Sequence, residues 1–421
     1  MKVVFWHSAE SAVGLYRQII PAKYLAKAGA FEIHSLPLWQ TLPRSLQTQV
    51  ADYNMQERMA WADCAVWGWF YDPVIANYMR GSKADTGTKV FLDLDDEVFD
   101  VPKGHLAHDQ FKFRTPEECF DYKEFPLEAF QILQRRGWEV QVQQNAGAPR
   151  LLARRRTAIA FRQEFEGILR DCDGLVVSTQ YLEKEYQRYM SPNLLAAEAP
   201  NCYDPETWQL ATVAPEHPQP TLVWAGSLAH NGNVQVAFPA LKQVVKAVPD
   251  VRILVYGAEL PAWKESKLPI TFVPWTSPEG YPQTLASLGG WVGIAPVTQE
   301  AFNLAKSHIR WMEYTLAGMA TVGTPVPEMQ RYAGDGMQFV SGTEEWAEAL
   351  ISLLKDASLR DGLKRRALDR VTQCSMANPV NINAWAAAIQ KLYKAERVTE
   401  NGVPGDQRSV PSTDVPIPAG A

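Results

Sequence analysis

Cysteine is scarce in this chain and nowhere spaced as a CxxC pair. The five cysteines, Cys64, Cys119, Cys172, Cys202 and Cys374, are odd in number and widely scattered. That pattern excludes a disulfide framework and a cysteine-based zinc site, and it fits a reducing, cytoplasmic setting. Long apolar runs are missing too. The opening Met1–Trp6 run breaks at His7, too short for a signal-peptide core or a spanning helix, and no transmembrane segment is expected further on. Nor is there an excess of positive charge. With 41 Lys and Arg against 47 Asp and Glu the net charge is -6, so no global field favours a polyanion and nucleic acid is not the preferred partner. At 46% hydrophobic and 21% charged residues, wholesale disorder and rod-like folds are excluded as well.

What is present is enough apolar sequence for two cores. A length of 421 residues suits two α/β domains. Short apolar runs at Lys2–Trp6, Phe31–Ser35, Cys64–Trp67, Lys89–Leu94 and Gly174–Ser178 alternate with helical spacing, which predicts βαβ units and a parallel sheet. The regularity fails over about 104–150, an insertion of unassigned fold. A basic helical stretch is expected from Leu151 to Arg170. Residues 1–203 thus form a first Rossmann-like domain, on the acceptor side of a cleft. The proline-rich 204–220 is a linker. Residues 221–378 form a second Rossmann-like domain, 379–397 a closing helix packing back on the first, and 398–421 a disordered tail poor in large apolar residues.

Two such sheets facing each other bring the carboxyl ends of their strands, where ligands bind in open α/β folds, onto opposite walls of one cleft. In the second domain, the strand Leu222–Ala225 runs into Gly226, Ser227 and His230, small and polar residues able to meet phosphate. Downstream, Leu304–Ala317 is predicted as one helix carrying Lys306, Arg310 and Glu313 at helical spacing, with Ser307 beside them. Two cations for a diphosphate and a carboxylate for ribose hydroxyls suit a nucleotide diphosphate.

On these residues, with Ala317-Gly318 and the following short strand, the chain resembles the GT-B glycosyltransferases. It is most similar to glycosyltransferase family 4, the group 1 type, and to related bacteriophage and bacterial sugar transferases. The resemblance spans roughly Thr221–Val371 well and the first half loosely. It implies a nucleotide diphosphate sugar as donor substrate, no other cofactor, no metal, and retention of anomeric configuration. Glu313 matches the family glutamate that holds the nucleotide ribose. The family's second glutamate, eight residues earlier, is replaced here by Ala305, and its phosphate-binding Arg and Lys after the first strand have no plain match. Lys306 and Arg310 are expected to compensate, with Glu300 reaching in from the preceding loop. In the first domain, Gly14 and Arg17 stand where related enzymes bring a glycine-containing loop against the donor.

Asp93, Asp95 and Asp96 end a strand at the cleft and superficially match an acidic metal-binding motif. Tyr16, Asp95 and Asp96 are read as acceptor-side groups. Each has a bland counterpart: Glu313 as a solvated helix carboxylate, Lys306 and Arg310 as a surface ion-pair face, the aspartates as turn caps. The catalytic set is Lys306, Arg310 and Glu300; the donor-binding set is Gly226, Ser227, His230, Lys306, Ser307, Glu313, Gly14 and Arg17. The reading is glycosyl transfer to an acceptor left open among glycan, lipid-linked sugar, protein, small metabolite and modified phage DNA base, with DNA possible but not preferred. A non-catalytic nucleotide-sugar binder and a nucleotide-sugar epimerase are the rival readings.

Overall fold

The structure, a computed structural model, describes residues 1–7, 12–37, 50–68, 73–99, 101, 123–125, 138–143, 150–155, 158–189, 195–227 and 230–395. The tail, most of the 104–150 insertion, and Cys119 and Arg156 lie outside the described residues.

The first domain is built on a six-stranded parallel sheet: β1 (Lys2–His7), β2 (Glu32–Pro37), β3 (Cys64–Gly68), β4 (Lys89–Leu94), β8 (Gly174–Val177) and β9 (Ala196–Glu198). Their order is β2-β1-β3-β4-β8-β9. Both sheet faces are covered, so the strands read as continuous apolar runs. Val3, Phe5, Val66 and Phe91 enter one core, and Val4, Trp6, Ala65, Trp67 and Leu92 the other, as the period-2 alternation of side chains requires.

Inside the insertion the structure corrects the expected basic helix. Arg150–Arg155 is a strand, β7, pairing antiparallel with β5 (Lys123–Phe125) and β6 (Trp138–Gln143), and the helix begins only at Ala158. The alternating Trp-Glu-Val-Gln-Val-Gln of β6 supplies the pairing edge that the basic composition of β7 obscured.

The second sheet, parallel throughout, is β10 (Thr221–Gly226), β11 (Arg252–Gly257), β12 (Ile270–Pro274), β13 (Val292–Ala295), β14 (Ala320–Gly323) and β15 (Gln338–Phe339), ordered β12-β11-β10-β13-β14-β15. Its order reverses between β10 and β13, so the crevice at that switch point opens beside Gly226 and Ala295. The helix expected over Leu304–Ala317 is two: Ala301–Leu304 and Ile309–Leu316. Phe302 and Ala305 are drawn into a core of the first domain, and the Ala305 carbonyl accepts from Thr179 Oγ1 at 3.3 Å. Tertiary packing thereby ends a segment whose propensity favours continuation.

Two chain segments cross between the domains and lie side by side, bridged at Tyr203 and Ser375. Tyr203 N donates to Cys374 O at 3.0 Å, and Met376 N to Tyr203 O at 2.9 Å. Beyond the second crossing, Pro379–Lys394 is a helix that returns to the first domain, where Trp385 Nε1 donates to Pro200 O at 3.0 Å.

Candidate active site

Between the sheets lies a cleft of about 350 Å³ lined from both domains. Its second-domain wall depends on how Ile309–Leu316 is fixed. The Tyr314 ring lies over Gly293, where a Cβ would come within 2.4 Å of it. The Tyr314 hydroxyl accepts from Ala225 N at 2.8 Å and donates to Ile294 O at 3.2 Å, tying the helix to the ends of β10 and β13. Arg310 and Glu313, one helical turn apart, are thereby aimed at the switch point. Arg310 Nη1 donates to the Ala225 carbonyl, and Nη2 lies 3.1 Å from His230 Nε2. A Cβ on Gly226 would come within 3.0 Å of that guanidinium, so glycine there lets the arginine approach the strand end. Gly257, at φ +108°, does the same one strand over, where a Cβ would sit 2.6 Å from Gly226 O and 3.0 Å from the Trp275 ring.

Glu313 is 9% exposed. Tyr16 OH donates to its Oε1 and Tyr281 OH to its Oε2, each at 2.8 Å. Burial raises its pKa, opposed by the two hydroxyls and by Arg310. Burial, with Glu313 adding to it, pushes both tyrosines well up, so they remain protonated donors. One carboxylate thus gathers a donor from each domain.

Lys306 lies in the break between the two short helices, not on the helix with Arg310. It still lines the cleft, and it ion-pairs with Asp96 across the domain boundary while resting 4.1 Å from the Phe302 ring centroid. Ser307 Oγ accepts from Asn201 Nδ2 at 2.9 Å. Gly226, Ser227 and His230 complete this wall. Opposite them, Asp95 is half-buried. Its burial and the neighbouring Asp96 push its carboxyl up to about 7, and Oδ1 has no hydrogen-bond partner.

Three expected site residues lie elsewhere. Arg17 is fully buried in the first domain: it forks onto Asp93 (Nη2 to Oδ1, 2.6 Å), donates to Ala199 O at 2.5 Å and Asn201 Oδ1 at 3.2 Å, and stacks 4.6 Å over Trp385. Tyr16 and Arg17 are consecutive on the helical turn Leu15–Ile19 and so point apart, Tyr16 to the cleft and Arg17 to the core. Glu300 is exposed at the start of Ala301–Leu304, accepts from Thr298 Oγ1 at 3.0 Å and does not line the cleft. Gly14 sits just behind the wall formed by Val13 and Leu15. Asp93 is buried and committed to Arg17 and Gln18, and it does not line the cleft. No group of three or more potential metal ligands is assembled among the described residues. Ala305, at the position of the family's missing glutamate, is fully buried.

Sequence reasoning missed an aromatic shelf at the mouth of the cleft. Tyr256 stacks on Tyr281 with ring centroids 5.3 Å apart and on Trp275 at 6.0 Å. Trp275 remains 51% exposed. Its position immediately after β12, at a strand's carboxyl end, was the available signal.

Residues 219–356 match the model of a family described as Glycosyl transferases group 1. No curated protein matches the chain at the level of sequence. Among solved structures, sucrose-phosphate synthase from Thermosynechococcus elongatus is 11% identical with a TM-score of 0.56, covering 94% of this chain and 100% of that one. Anabaena HepE in complex with UDP and glucose is 11% identical with a TM-score of 0.52, covering 93% and 99%. HepE in complex with UDP-glucose is 12% identical with a TM-score of 0.51, at the same coverage. The chain has the GT-B fold, and its second domain carries the match to the group 1 glycosyl transferases. No helix among the described residues is long and apolar enough to cross a membrane.

Proposed function

We propose that this protein transfers a sugar from a nucleoside diphosphate sugar, held mainly by the second domain, to an acceptor hydroxyl presented from the first. The observation that carries this is the convergence of Lys306, Arg310 and Glu313 on one interdomain cleft at the switch point of the second sheet. Arg310 and Lys306 stabilise charge developing on the leaving diphosphate, the step in which fixed cations contribute most. Glu313 accepts from the ribose hydroxyls in place of Tyr16. The exposed Trp275 ring offers the base a stacking face. Asp95 and Asp96 face the acceptor. HepE has been solved in complex with UDP and with UDP-glucose, and anionic donors of that class suit this wall. Retention of configuration, independence of added metal and action in the cytoplasm belong to the same proposal.

The test is calorimetric titration and turnover with a panel of UDP- and GDP-sugars. Glu313→Ala should weaken donor binding and Lys306→Ala should slow turnover, both with an unchanged melting temperature; unaltered binding and turnover in both variants refutes the assignment. The anomeric configuration of the product by NMR decides retention, and a rate insensitive to EDTA supports the metal-free route. A steep fall of transfer with added salt would move the acceptor toward DNA. One observation favours a second reading, a binder without turnover: the buried Ala305 where the family has a carboxylate. Donor binding with neither hydrolysis nor transfer across acceptors would select it.

A further inference from the structure

The segment from Ala301 to Ser307 belongs to the second domain by sequence but is packed into the first. Phe302 and Ala305 are buried in a core whose other described members lie between Val4 and Ala196. Polar contacts follow the same path. The Ala305 carbonyl accepts from Thr179 Oγ1 at 3.3 Å, Ser307 Oγ accepts from Asn201 Nδ2 at 2.9 Å, and Lys306 between them ion-pairs with Asp96. Farther along the same edge, the buried Glu328 of Pro327–Ala333 accepts from the backbone N–H of Gln180 at 3.2 Å. That N–H opens the first-domain helix Gln180–Tyr189. A helix start favours a carboxylate, because its first amides lack intrahelical partners and its dipole is positive there. Arg331 ties Glu328, 3.3 Å away, to Glu198 at the end of β9.

The strand order places all of these contacts on one side of the molecule. Ala301–Leu304 follows β13 and Pro327–Ala333 follows β14, and their partners stand at or just after β4, β8 and β9 of the first sheet. Trp275 follows β12, the edge strand at the other end of the second sheet, and its ring is exposed. Swinging the lobes apart on the β13–β14 side would draw Phe302 into water and strip the carboxylate from the start of Gln180–Tyr189. We propose that Ala301–Ser307 is a dock that holds the two domains together without ligand, and that a donor enters and leaves by the Trp275 mouth while the docked side stays shut. The dock stands on packing alone; the entry route rests on the donor reading of the cleft. The dock also accounts for Ala305. A glutamate at that position, as in the family, would put a carboxylate into the apolar core of the first domain.

The experiment is hydrogen exchange read by mass spectrometry on the full chain, as wild type, Phe302→Ala and Ala305→Glu, each with and without UDP. In the wild type without ligand, the Gln180 amide and the 301–308 stretch should be protected. In either variant both should lose protection together, by about 10-fold or more, while Val3–Trp6 and Ile253–Tyr256 keep theirs. Wild-type exchange at Gln180 as fast as in an unfolded chain overturns the dock. So does a Phe302→Ala protein in which 301–308 loosens and Gln180 stays protected. If Ala305→Glu also exposes Val3–Trp6, it has unfolded as a whole, and the wild type with Phe302→Ala decides. UDP should slow exchange around Trp275 and Tyr281 and leave Gln180 as it was; a change at Gln180 on adding UDP overturns the entry route. If UDP alters exchange nowhere, the donor reading fails, and the ligand-free data still decide the dock.

Discussion

Two arginines, each near the start of its domain's contribution to the cleft, show how the two halves of this molecule use charge differently. Arg17 is 0% exposed and bound on every side by Asp93, Asn201, the Ala199 carbonyl and the Trp385 ring, so it joins the first sheet to the crossing segment and the returning helix. Arg310 is only partly buried, donates to the Ala225 carbonyl, and lines the cleft beside His230. The first domain commits its central charge to architecture, and the second leaves its charge at the wall of the cleft. Sequence shows two arginines near the beginnings of helices; burial makes one structural and leaves the other at the cleft.

The sharpest way to break this comparison is to delete both. Arg17→Ala leaves the Asp93 carboxylate buried without its counter-charge, and should cost about 3 to 5 kcal/mol of stability, read by denaturant unfolding. An Arg17→Ala protein that melts like the wild type but loses donor affinity would return Arg17 to the site. Arg310→Ala should do the reverse, dropping kcat by about 100-fold or more with the melting temperature nearly unchanged.

A smaller effect probes the boundary between the regions. His308 stacks 3.8 Å from the Tyr332 ring with its ring buried, and burial, assisted by Arg331, lowers its pKa from 6.5 to about 3. The folded-state value is depressed, so its contribution to stability is complete above 6.5 and is lost as pH falls from there toward 3. The wild type should lose roughly 2 kcal/mol more than His308→Phe between pH 7 and pH 5. Parallel acid-unfolding curves would show that the ring is already charged in the fold. The smallest expected change is at Trp275: replacement by Ala should weaken nucleotide binding about tenfold through lost stacking and leave kcat at saturating donor almost intact. An equal loss for a sugar phosphate lacking a base would show that the ring does not contact the base.

Most of both sheets was legible. Continuous apolar runs such as Val3–Trp6 and Leu222–Ala225 have one stable use, a parallel strand covered on both faces. Less legible were the antiparallel β5-β7-β6 sheet, where the basic run of β7 reads as the face of a helix, and the break at Ala305–His308, which the first domain's core imposes on the second domain's helix. Within the site, Glu313, Lys306, Arg310, Ser227, His230, Tyr16, Asp95 and Asp96 were found from residue type and strand-end position and all line the cleft. Tyr281 was not, because its value lies in a contact far along the chain, with Glu313 across 32 positions, and Trp275 was passed over although it stands at a strand's carboxyl end.

By itself, then, the sequence determined the two parallel α/β sheets and the segment in which cations and a carboxylate gather. Those properties follow from local periodicity and from the need to bury apolar faces, both carried by residues close together in the chain. Only the tertiary structure decided which charges face water and which face one another: Arg17 turned inward onto Asp93, Lys306 set against Asp96, Glu313 shared between tyrosines of opposite domains. The reason is that a charge's role is fixed by its desolvation and its partners, and partners 76, 210 or 297 positions away are brought near only by the fold.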